Sequence, residues 1–145
     1  MSGILVGVDG SGHSQRALEW AAKEAATRHT SLTVLVVHQA VHGWAGSLRY
    51  SGDEAETEKA AEAAKAETDK VLAGLGDSRP ESVAVRAVHG YPAEELINAS
   101  ADADIIVVGT HGTGGWSRQM LGSVAGKVVH HAKVPILIVP SERRR

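Results

Sequence analysis

Branched aliphatic residues in this chain gather into five short blocks, separated by stretches with helical spacing or by glycine-rich turns. Residues 4–9 (Ile-Leu-Val-Gly-Val-Asp) are apolar nearly throughout and end in a carboxylate. That pattern predicts a strand buried on both faces, meeting solvent at Asp9. Gly10-Ser11-Gly12-His13 reads as a turn and Ser14 as a helix N-cap. Ala17, Leu18, Ala21, Ala22 and Ala25 then recur at helical spacing to about His29. Residues 32–37 form a second β-branched block, and 39–52, with Gly43, Gly46 and Gly52 and no period, predicts a loop.

From 53 to about 75 the chain reads as a helix with a mostly alanine apolar face, suited to shallow packing on a sheet. Glu56 with Lys59, Glu62 with Lys65, and Glu67 with Lys70 mark its solvated face. Residues 82–88 predict a third strand, and Pro92 opens a short helix over 93–101. Residues 104–109 (Asp-Ile-Ile-Val-Val-Gly) are the most apolar strand, followed by a glycine-laden loop over 110–121. A helix over about 123–132 carries His130, His131 and then Lys133 at its end, where positive charge complements the dipole. Residues 135–140 are a last strand, and 140–145 a flexible basic tail ending Arg143-Arg144-Arg145.

Five strands alternating with four helices predict an α/β fold, a doubly wound parallel sheet with right-handed crossovers, in one domain spanning 1–145. In such sheets ligands bind beyond the C-terminal strand ends, where the winding reverses. Residues 9–14 and 109–123 are the loops expected there.

Composition narrows the chemistry. The chain has 145 residues, 43% of them hydrophobic, with no Phe, so its core is built from Val, Ile, Leu and Ala. A formal charge of -2 gives no electrostatic reason to bind nucleic acid, the terminal arginines being read as a solvated end. Without cysteine there is no disulfide framework and no thiol nucleophile, which fits a reducing, cytoplasmic setting. No basic, apolar leader opens the chain and no run approaches a membrane span.

Motif elimination takes the same direction. There is no Gly-x-x-x-x-Gly-Lys-[Ser/Thr], and Gly10-Ser11-Gly12 is followed by Gln15 where a dinucleotide fingerprint has its third glycine. Ser11 and Ser14 lie in no nucleophile elbow. No His-Glu-x-x-His occurs, His38 and His42 straddle a strand end, and His130 and His131 point to different helix faces, so no metal site and no catalytic residue is expected.

One segment does carry chemistry. Gly109-Thr110-His111-Gly112, nine residues, then Gly122-Ser123 begins at a buried strand end and finishes at a helix N-terminus. Glycines let backbone approach a ligand, and the 122–124 end presents helix N–H groups and a hydroxyl to an anion. Glycines that merely make a loop, with Ser123 a simple cap, are the plain alternative. His13 and His111 stand either near phosphate or facing solvent; Arg118 and Trp116 have no assigned role.

Gly-x-x-Gly, nine residues, Gly-Ser, together with Asp9 and the closing Gly122-Ser123-Val124 and Val134-Pro135-Ile136-Leu137-Ile138-Val139-Pro140 segments, resembles the universal stress protein family over the whole chain. The resemblance implies an adenine nucleotide alpha hydrolase-like sheet of order 3-2-1-4-5 and a homodimer through the last strand. It implies ATP binding, with or without Mg²⁺, in a regulatory, stress-response module. By position, Asp9 would contact the adenosine, the Val37 backbone adenine, and Val108 and Gly109 the ribose and base. Gly112, Gly122, Ser123 and Val124 would cradle the phosphates. Physics agrees on Asp9, because a carboxylate beside phosphates repels them. A slow Mg²⁺-dependent ATPase or phosphotransferase, and an AMP- or cyclic AMP-binding relative, are the alternatives; against the enzyme stands the absence of an evident general base.

Overall fold

The structure, a computed structural model, describes residues 3–9, 14–39, 50–110 and 122–140. Five strands form one sheet in the order β3-β2-β1-β4-β5: β1 (Gly3–Val8), β2 (Ser31–Gln39), β3 (Ser82–Gly90), β4 (Ile105–Gly109) and β5 (Ile136–Val139). Every neighbouring pair is parallel. Helices α1 (Gln15–Arg28), α2 (Tyr50–Leu75), α3 (Pro92–Ala99) and α4 (Ser123–His131) supply the crossovers. The fold class, the strand order and the four helices are those anticipated.

Alternation along the strands sends side chains to opposite faces. Ile4, Val6, Leu32, Val34 and Val107 pack against α1 and α2 through Leu18, Val71, Leu72 and the alanines of α1. Leu5, Leu35, Ile106 and Val108 face α3 and α4 through Ala93, Leu96, Ala125 and Val128. Ala17, Ala21, Ala22 and Ala25 are all fully buried, so α1 lies close over the sheet.

The details depart from the sequence reading in several places. β2 and β3 run on to Gln39 and Gly90 because they pair with each other over their whole lengths. α2 starts at Tyr50, so residues 50–52 belong to a helix rather than to the anticipated loop. Its buried face includes a hydroxyl, Thr68, whose Oγ1 donates to the Ala64 carbonyl at 2.7 Å and is thereby satisfied inside the core. Lys65 pairs with Asp69 at 3.6 Å, one turn further on, rather than with Glu62. Ser14 precedes α1 but makes no side-chain cap bond. Its hydroxyl instead accepts from the Asp9 amide at 3.4 Å.

Candidate functional site

Parallel pairing brings all five C-terminal strand ends to one edge of the sheet. β1 is flanked by β2 on one side and β4 on the other, and the winding reverses between β1 and β4. This is the switch point at which open α/β sheets hold ligands. Val8 pairs with Val36, so Asp9 stands one residue past the ladder, level with Val37. Val6 pairs with Val107, and the same register carried two residues further sets Val8 level with Gly109. Asp9 just past β1, Val37 two residues before the end of β2 and Gly109 at the end of β4 therefore lie within one residue of level on three adjacent strands.

Their environments differ. Asp9 is exposed, with its backbone amide tied to Ser14. Val37 is half-buried, turned toward the α3/α4 layer and paired with Val88 of β3. Val108 is buried in the same layer. Gly109 ends β4 opposite Val139. Thr110 continues that ladder, its amide donating to the Val139 carbonyl at 3.1 Å.

The return to α4 is closed by a short bond. The Gly122 amide donates to the Thr110 carbonyl at 2.6 Å, so the entry and exit of the 110–122 excursion are held together. Gly122 is the N-cap of α4 in an extended conformation, and its carbonyl accepts the first helical bond from Gly126 at 2.9 Å. The amides of Ser123, Val124 and Ala125 thus have no acceptor within the helix, and they form its electropositive end. Ser123 is exposed, while Val124 is half-buried against the α3/α4 core. Gly112, and with it His111, Trp116, Arg118, His13, residues 40–49 and the end of the basic tail, lies outside the described residues.

Beside this helix end lies a cleft of about 280 Å³, lined by Tyr91, Pro92, Ala93 and Glu94 of the α3 entry and by Ser123, Val124 and Lys127 of α4. A second hollow, between Val8, Ser14, Leu18 and the Ala64 and Glu67 side of α2, encloses only about 40 Å³ and is too small for a nucleobase. The cleft adds Lys127 to the residues singled out from the sequence. Its spacing of four from Ser123 puts both on one helix face, a signal legible in the sequence once Ser123 is fixed as the first helical residue. Tyr91 and Glu94 had no such signal, since only packing of α3 beside α4 brings them there.

Comparison with known proteins agrees with the architecture. The model of the universal stress protein family matches residues 1–140. A universal stress protein of Mycolicibacterium smegmatis is 36% identical over 140 residues, covering 94% of this chain and 47% of its own length. The chain thus spans about half the length of such curated relatives. Among solved structures, UspA from Lactobacillus plantarum superposes with a TM-score of 0.80 at 25% identity, over 95% of this chain and 97% of that one. A universal stress protein crystallised with cAMP shares the fold, with a TM-score of 0.70 at 24% identity over 97% of this chain and 98% of that one. With its sheet order in place and the family model matched over nearly its whole length, this chain belongs to the universal stress protein family.

Proposed function

We propose that the chain binds an adenine nucleotide, ATP in the first instance, at the switch point between β1 and β4 and acts as a nucleotide-dependent regulatory module. One observation carries the reading: the Gly122–Thr110 bond fixes the N-terminus of α4 beside the β4 end, at the sheet edge where Asp9 and Val37 also emerge. In this reading the amides at Ser123 and Val124 face the phosphates, Gly122 brings the main chain close to them while its own amide stays with Thr110, and Gly112 completes the cradle. Asp9 accepts from the nucleoside, and the Val37, Val108 and Gly109 main chain frames base and ribose. The nucleotide class draws support from a protein of the same fold that holds cAMP.

The described residues support a nucleotide in this reading because the exposed helix N-terminus of α4 supplies backbone donors suited to an anion, and Asp9 supplies an acceptor at the same sheet edge. Mg²⁺, when present, supplies charge neutralisation on the phosphates, and Asp9 is the acid at this edge that could reach its water shell. A homodimer through β5 and a cytoplasmic location belong to the same proposal. β5 is an edge strand of apolar residues, Ile-Leu-Ile-Val, and such edges are normally covered.

Mass spectrometry of nucleotide retained on the purified protein tests the reading, followed by calorimetry with ATP, AMP and cyclic AMP and by turnover with Mg²⁺. Retained, uncleaved ATP supports the module. Phosphate release above background that is abolished by Gly122→Val would make it an enzyme. No binding of any adenylate would reject the site.

A further inference from the structure

His38 and His89 are unrelated in sequence spacing, yet they are direct partners in the parallel ladder between β2 and β3. Paired residues on neighbouring strands share a sheet face about 4.8 Å apart. Their imidazole rings accordingly lie with centroids 5.5 Å apart, tilted by 39°. His89 is exposed and His38 half-buried, so solvent reaches the pair. The face they occupy is the one covered by α1 and α2, since Val34, on the same side of β2 as His38, packs there.

We propose that His38 and His89 form a two-imidazole binding site for a late first-row divalent cation (Cu²⁺, Ni²⁺ or Zn²⁺) that clips the C-terminal ends of β2 and β3 together. With metal–nitrogen bonds of about 2.0–2.1 Å, two rings sharing one ion have centres roughly 5–6 Å apart at ordinary coordination angles. The observed separation falls in that range. Both histidines have further interactions in the structure, and in most metal-bound histidines the second ring nitrogen is held by such a partner. Water completes the shell. Imidazole ligands select Cu²⁺, Ni²⁺ and Zn²⁺ over Mg²⁺ and Ca²⁺.

Two ligands make an exchangeable site rather than a closed structural one, and among the described residues no group of three or more His, Asp or Glu side chains converges on a metal position. The strands hold both residues in register, so the ligands are preorganised by the ladder. The site does not depend on nucleotide binding.

The test uses tag-free, full-length protein titrated calorimetrically with NiCl₂, CuCl₂, ZnCl₂ and MgCl₂ in the absence of nucleotide. Because the chain has eight histidines, His130→Gln serves as the control; the His130 and His131 rings, 6.4 Å apart, sit at the end of α4. The expected result is Cu²⁺ tightest, Ni²⁺ and Zn²⁺ measurable and Mg²⁺ undetectable. His38→Gln and His89→Gln should each weaken Ni²⁺ at least tenfold, with His130→Gln unchanged. Should either substitution perturb folding, Ni²⁺ added to the wild-type protein should first broaden the amide resonances of residues 38 and 89. Unchanged Ni²⁺ affinity in both strand variants, equal loss in His130→Gln, or broadening confined to residues 130 and 131 would overturn the site.

Discussion

The amide of Gly122 lies 2.6 Å from the carbonyl oxygen of Thr110, whose own amide is bonded to Val139 at 3.1 Å. β5, β4 and the start of α4 are thereby joined through two consecutive backbone bonds. The glycine-bounded excursion cannot open at its base without breaking one of them. A proline at 122 keeps the observed φ of -63° but removes the donor. Gly122→Pro should therefore cost about 1 kcal/mol, seen as a Tm lower by roughly 2–4 °C, and should weaken ATP at least fivefold by calorimetry. Gly122→Ala, which keeps both the angle and the N–H, should stay within about 0.5 kcal/mol of wild type in stability.

The proposed site puts Asp9 with the nucleoside rather than with the phosphates. Asp9→Asn should weaken ATP and AMP to a similar degree, on the order of tenfold, as expected for losing a charged acceptor worth about 1.5–3 kcal/mol. Gly112→Val should weaken ATP while leaving the circular dichroism spectrum intact. Calorimetry in which Asp9→Asn affects only the triphosphate would reverse the orientation of the ligand.

Close packing of β1 under α3 is tested at Gly7. A Cβ added there would sit 2.9 Å from both Cδ atoms of Leu96, a side chain only 3% exposed. Gly7→Ala should destabilise the fold by about 1–3 kcal/mol in urea denaturation. Combined with Leu96→Ala the losses should be less than additive, because the second substitution removes the clash.

α1 ends on His29, which holds a left-handed φ of 54° while its amide reaches the Ala25 and Ala26 carbonyls. Glycine takes this conformation without the Cβ penalty. His29→Gly should raise stability by about 0.5–1 kcal/mol, read as a higher midpoint in thermal or urea unfolding.

The proposed β5 dimer predicts twice the monomer mass by light scattering. A charge on the edge, Leu137→Lys, should shift the protein toward monomer. A wild-type monomer at micromolar concentration would remove the dimer from the proposal.

Much of this fold is written in local pattern. The apolar runs ending at Asp9 and Gly109 mark strands buried on both faces, and the spacing of Ala17, Leu18, Ala21, Ala22 and Ala25 marks the buried stripe of α1, because burial periodicity depends on neighbours along the chain. The end of β4 at Gly109 and the start of α4 just past Gly122 were likewise legible from the glycines that bound them. Other features depend on register, which the whole sheet fixes. Only the full-length pairing of β2 with β3 sets His38 beside His89, and only the layer above the sheet decides that Thr68 is buried while Glu67 beside it stays partly exposed. The Ser14 hydroxyl could equally have capped α1; the close approach of the β1 end gave it the Asp9 amide instead. Sequence alone determined which segments are strands and helices and which faces they bury, since those follow from side-chain spacing. Tertiary structure decided which distant residues meet, since that requires strands to be aligned and helices to be seated before any side chain finds its neighbour.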